Sequence, residues 1–173
     1  MRRHDPPDGF AEFVTARSGA LLRAAWALTG DRTSAEDLLQ TALAEVWPKW
    51  ARISAGQSPE AYVRRVLVST FLSGRRRRWR GEVPSAQVPE TAEDADLAGR
   101  SAARDAVHRA LLRLSPQQRS VVVLRYLEDL SIDETARTLG CSTATVKVQA
   151  GRALATLRSD PHLGPAPIGR WDA

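Results

Sequence analysis

Apolar positions along this chain recur every three or four residues, the period of an α-helix. The clearest stretch is Ala35, Leu38, Leu39, Ala42, Leu43, Val46, Trp47 and Trp50, an unbroken stripe with Glu36, Asp37, Gln40, Thr41 and Glu45 opposite it. Thr33-Ser34-Ala35-Glu36 opens this helix as a capping box, and Pro48 kinks or ends it. An earlier helix is predicted over residues 10–28, with Phe13, Leu21, Ala25 and Leu28 inward and Gly30-Asp31 at its end. Residues 51–57 read as a loop. Ser58-Pro59 then starts a third helix, with Val63, Val66, Leu67, Thr70 and Phe71 inward and Arg64 and Arg65 outward.

The same period returns after a gap. Residues 103–114 predict a helix with Val107, Ala110, Leu111 and Leu114 on one face. Ser115-Pro116-Gln117-Gln118 is a second capping box, leading into a helix that runs to about residue 126. Two short helices follow, joined by Leu139-Gly140-Cys141-Ser142. The first opens with the capping box Ser131-Ile132-Asp133-Glu134 and turns Ile132, Ala136 and Leu139 inward. Gly140 suits a C-terminal cap that needs positive φ. The second, capped by Ser142 or Thr143, buries Val146, Ala150, Ala153, Leu154 and Leu157. Thr143, Thr145, Lys147, Val148, Gln149, Gly151 and Arg152 remain outside that stripe. Such a pair is either a DNA-reading helix-turn-helix or a plain helical hairpin with a solvated outer face.

Between the two helical halves lies a stretch of different character. Residues 81–99 hold Glu82, Glu90, Glu93, Asp94 and Asp96 with no lysine or arginine, two prolines and no apolar period. It reads as a flexible acidic linker. Fold class is therefore all-α: two small helical domains, 10–80 and 104–158, joined by a linker over 81–103, with tails at 1–9 and 159–173.

Charge narrows the class of partner. The formal net charge is +5, which favours an anionic surface. Much of the excess sits in Arg75, Arg76, Arg77, Arg78 and Arg80 at the end of the third helix, more cations than a helix dipole needs. Phosphate is their natural contact. Trp79 inside that run either stacks on an unpaired base or covers the domain edge. No run of about 18 apolar residues exists, so membrane insertion is not expected. The N-terminus lacks the apolar stretch of a signal peptide, which points to the cytoplasm. The single cysteine, Cys141, reads as an apolar plug of the turn or a redox sensor, and nothing beside it would activate a thiolate. His4, His108 and His162 form no cluster, and no phosphate loop or nucleophile motif occurs. Neither catalysis nor a cofactor is expected.

In their order, Ala35-Glu36-Asp37-Leu38-Leu39-Gln40, Val46-Trp47 and Ala61-Tyr62-Val63-Arg64-Arg65-Val66 resemble region 2 of the extracytoplasmic-function sigma factors of bacterial RNA polymerase. Leu114-Ser115-Pro116-Gln117-Gln118-Arg119, Leu124-Arg125-Tyr126, Ser131 to Ala136, Leu139 to Ser142 and Thr145-Val146-Lys147 resemble their region 4. Residues 73–79 are similar to a sigma-E-like actinobacterial subgroup. The resemblance covers about residues 10–158. It implies that Asp37, Gln40 and Thr41 dock on the polymerase core. It implies that Tyr62, Arg64, Arg65, Ser69, Arg75, Arg76, Arg77 and Arg78 serve the minus-ten element, captured as unpaired bases. Thr143, Thr145, Lys147, Val148, Gln149, Gly151 and Arg152 would enter the minus-35 major groove. Ser69 stands where the family often has asparagine, Gly74 where the subgroup often has an aromatic residue, and Val148 where a polar residue is frequent. The implied partners are polymerase core, promoter DNA and, as an optional third, an anti-sigma protein. The rival expectation is a free-standing operator-binding repressor that dimerises through its N-terminal helices.

Overall fold

A computed structural model describes residues 6–56, 58–79 and 98–163. Among these residues there are only helices and turns. The N-terminal domain comprises α1 (Phe10–Thr29), α2 (Arg32–Val46), a 3₁₀ turn (Trp47–Lys49), α3 (Trp50–Gly56) and α4 (Pro59–Trp79). The second domain holds α5 (Ala98–Leu112), α6 (Pro116–Val122), a π turn (Val123–Leu127), α7 (Ile132–Leu139) and α8 (Thr143–Arg158). Of the expected linker, residues 81–97 lie outside the described set, as do most of both tails. Ala98 already belongs to α5, five residues before the predicted start.

Three local expectations change, and at Pro48 one of two alternatives holds. The cap of α2 is Asp31, not the box at Thr33: its carboxylate accepts from Ser34 N at 2.7 Å, and the helix starts at Arg32. Glu36 then pairs with Arg32 at 2.8 Å instead of reaching back. An ionised acceptor outcompetes a hydroxyl for the same orphaned donors. Pro48 ends α2 in a 3₁₀ turn and does not kink it, because its fixed φ suits a new first turn. The expected loop at 51–57 is instead mostly α3, anchored by buried Trp50, whose indole N–H donates to Asp8 O at 2.9 Å. The buried residues of α5 are Ala106 and Ala110, with Leu114 buried just beyond its end, and Val107 is exposed.

The other caps match the sequence. Ser115 and Ser131 both form complete capping boxes, Ser142 accepts from Thr145 N at 3.1 Å, and Gly140 closes α7 at φ 65°.

The two domains pack against each other. Val123 and Leu124 of the π turn join the N-terminal core built from Leu21, Leu28, Leu39, Val46, Val63, Leu67 and Phe71, and Leu130 and Leu139 cover its edge. Arg119, 4% exposed, sits at the centre of the seam. Its guanidinium donates to Leu111 O (2.9 Å), Leu112 O (3.0 Å) and Leu114 O (3.1 Å) around the end of α5, and to Leu28 O (2.6 Å) at the end of α1. Trp26 stacks on His108 with ring centroids 3.8 Å apart, and His108 Nε2 donates to Gly30 O. Gly30 lies at φ 100°, and a Cβ built there would stand 2.5 Å from Leu112 Cδ2. Both backbone and neighbour demand glycine at this point.

Removing the Arg119 side chain strips four carbonyls of a charged donor. Arg119→Ala should lower unfolding free energy by about 3 kcal/mol or more in a urea titration. Arg119→Lys should restore only part of that, since an ammonium cannot fork to four acceptors. A loss below about 1 kcal/mol for alanine would contradict this account.

Candidate nucleic-acid interface

The helix-turn-helix is made by α7 and α8. Its core is Val121, Ala136 and Val146, with Ile132, Leu139, Cys141 and Ala150 packed around them. Ala153 of α8 packs separately against Leu114 and Val122. That seating leaves the other side of α8 without a packing role. Thr143, Lys147, Val148, Gly151 and Arg152 are exposed there, while Thr145 and Gln149 are half-buried. Thr145 is held by the N-cap, its hydroxyl 2.9 Å from that of Ser142. All seven expected minus-35 residues thus belong to one helix, with two cations flanking an apolar side chain that is 50% exposed, Val148.

Gly151 is the odd member. It lies mid-helix, where glycine costs about 1 kcal/mol against alanine, yet a Cβ would meet nothing within 4 Å. No packing inside the protein explains it.

The turn holds Cys141 partly buried, and burial pushes its thiol pKa up. A raised thiol is a poor thiolate, which agrees with the plug reading. At the start of α7 the backbone N–H of Ser131, followed by its hydroxyl, holds the Glu134 carboxyl below the usual carboxylate range.

The expected minus-ten residues divide. Arg65 and Ser69 are exposed on α4, and Tyr62 is half-buried against the N-terminal core. Arg75, Arg76, Arg77 and Arg78 fall in the last turns of α4, and their side chains lie outside the described set. Arg64 does not point freely outward. Its side chain is 13% exposed, bonded to Glu60 at 3.2 Å and, across the seam, to Glu128 at 2.9 Å. Asp37, Gln40 and Thr41 are exposed on one face of α2, the Thr41 hydroxyl donating to Asp37 O at 2.8 Å.

Two residues escaped the sequence reading. Glu128 carries no local signal, because its partner is 64 positions away. Arg119 had one: it shares the buried face of α6 with Val122 and Val123 at helical spacing, where a solvated arginine does not belong.

Comparison with known proteins decides the family. Residues 13–81 match Sigma-70 region 2, and residues 104–157 match Sigma-70, region 4. The chain is 45% identical over 151 residues to the RNA polymerase sigma-E factor of Streptomyces coelicolor, covering 87% of this chain and 85% of that one. The chain belongs to the sigma-70 family of RNA polymerase sigma factors. It is also 34% identical over 128 residues to the ECF RNA polymerase sigma factor SigM of Mycobacterium tuberculosis, covering 73% of this chain and 64% of that protein. Among solved structures it resembles the sigma factor RpoE of Bartonella quintana, solved with the anti-sigma factor NepR. That match has a TM-score of 0.68 and 25% identity, over 88% of this chain and 96% of that one. Family membership leaves the operator-binding repressor without support. A sigma factor is not a class of enzyme.

Two outcomes follow for the helix-turn-helix. Gly151→Ala should raise stability by about 1 kcal/mol while weakening promoter-fragment binding, measured by thermal melting and by filter binding. Stability and affinity rising together would show that nothing approaches this backbone. The Glu134 cap should hold above the ordinary glutamate pKa and fail as pH falls through the depressed folded value. Protection of the Ser131 amide against exchange should report that loss, and Glu134→Gln should make the protection independent of pH.

Proposed function

We propose that this chain recruits RNA polymerase core to a defined set of promoters, reading the minus-35 element with α8 and the minus-ten element with α4. The observation that carries this is the outer face of α8. Apart from Thr145 and Gln149 it is exposed, it bears Lys147 and Arg152, and it includes a glycine that packing does not require. Major-groove entry of a helix bearing cations is the use such a face has. Arg152 bidentate to guanine and Lys147 on a phosphate or base edge are the contacts its chemistry allows, with Val148 beside a thymine methyl.

In the same reading Asp37, Gln40 and Thr41 form the contact with core. They project from α2 opposite the buried Ala35, Leu38, Leu39, Ala42 and Val46, so the fold makes no use of them. Arg65, Ser69 and the arginine run of α4 take the unpaired minus-ten strand, with Tyr62 at the domain edge. Nucleotide addition stays with the polymerase. The site of action is then the cytoplasm, where core and promoter meet, and no described helix is long and apolar enough to cross a membrane. Sigma factors of similar fold were solved with anti-sigma proteins, and a partner of that class is proposed here too.

Run-off transcription from genomic fragments should require both core and this chain. Tight binding to a palindromic operator without core, and no stimulated transcript, would overturn the reading. For the docking face, Asp37→Ala should weaken core affinity about tenfold with unchanged circular dichroism. Unchanged affinity would make that face merely solvated.

A further inference from the structure

The second domain carries a cleft that belongs neither to its core nor to the outer face of α8. Ala106, Arg109 and Arg113, on successive turns of α5, line one wall. Asp160 and His162, just past the end of α8, line the other. The space between them is about 410 Å³, enough for a small phosphorylated molecule.

One buried carboxylate builds this cleft. Asp160 is 8% exposed, and a charge so placed is costly unless its oxygens are met. Both are met. Oδ1 accepts from the His162 backbone N–H at 2.9 Å, and Oδ2 accepts from Arg113 Nη1 at 2.9 Å. The His162 amide first, and then the Arg113 guanidinium, hold the Asp160 carboxyl below the usual carboxylate range. Asp160 N donates to Leu157 O at 3.1 Å, and Leu163 N donates to Asp160 O at 3.2 Å. The turn that presents His162 is thereby fixed to itself, to α8 and to α5.

What remains is positive. Asp160 and Arg113 cancel in charge, which leaves Arg109 in surplus. Arg109 is exposed and enters no ion pair among the described residues. The fold asks for no cation there, because α5 is buried through Ala106 and Ala110. Arg113 is more than half exposed and gives Asp160 one of the five N–H groups of its fork. His162 adds a ring that donates an N–H in either protonation state. Two guanidiniums and an imidazole around one cavity are a donor set for phosphoryl oxygens.

We propose that this cleft binds a free phosphorylated small molecule by its phosphoryl oxygens, with Arg109 and Arg113 as forks and His162 as a third donor. The DNA backbone carries the same group, but the cleft is poorly placed for it. Helix α8 runs 16 residues, about 24 Å, and the cleft adjoins its C-terminal end. A helix of this class enters the groove by its N-terminal residues. That choice of source rests on the reading of α8 as the groove helix, whereas the anion site itself does not.

Inorganic pyrophosphate is the probe, titrated into the full chain by calorimetry and followed in amide NMR spectra. Saturable binding should move the backbone amides of Arg109, Arg113 and His162 and leave those of Lys147 and Arg152 in place. Arg109→Ala should weaken binding about tenfold with unchanged circular dichroism, and Arg109→Lys should recover part of the loss. Arg137→Ala takes the same charge from an exposed position on α7 and should leave affinity unchanged. Promoter-fragment binding by Arg109→Ala should match wild type. The proposal is overturned if pyrophosphate binding does not saturate, or if Arg137→Ala weakens it as much as Arg109→Ala. It is also overturned if Arg109→Ala loses promoter affinity while pyrophosphate moves no amide of the cleft, which would assign the cleft to the DNA backbone. Failure of the promoter reading shows separately, as absent run-off product with core, because the pyrophosphate titration contains neither polymerase nor DNA.

Discussion

A single guanidinium organises this molecule. The last carbonyls of a helix have no partner within it, and here two helices, α1 and α5, end beside one another. Arg119 supplies the donors for both ends. Its positive charge also suits the negative end of each helix dipole. Because a buried cation with four acceptors has little freedom to move, it fixes the angle at which the second domain meets the first. The aromatic stack of Trp26 on His108 and the ion pair of Arg64 with Glu128 then fall on the two sides of that pivot.

This arrangement separates two kinds of helix face. Faces turned toward the seam carry alanine, valine and leucine at close spacing. Those left over after packing, on α2 and α8, carry polar side chains that the fold does not use.

Local features were legible from sequence and distant ones were not. The boxes at Ser115 and Ser131, the caps at Ser142 and Gly140 and the stripe of α8 depend on residues within four positions of each other. Their chemistry is readable in one turn. Asp31 displaced Thr33 as a cap because ionised and neutral acceptors competed over the orphaned donors of one helix start, a contest the capping pattern alone does not rank. The rotation of α5 that exposes Val107 was hidden because α1, its packing partner, lies far away in the chain. Glu128 was hidden for the same reason, compounded by Asp129. That residue takes the left-handed conformation (φ 53°) after the π turn, an irregularity that helical periodicity does not encode.

Gly30 extends the meaning of the seam. Its conformation belongs to the first domain, the clearance above it belongs to Leu112 of the second, and its carbonyl is satisfied by His108. One residue therefore answers to both halves. The domains are not interchangeable parts: a chimera pairing this first half with a relative's second half inherits either a collision or a void at this point. Divergence on one side of the seam must be matched on the other, so the halves of such a chain evolve as a pair.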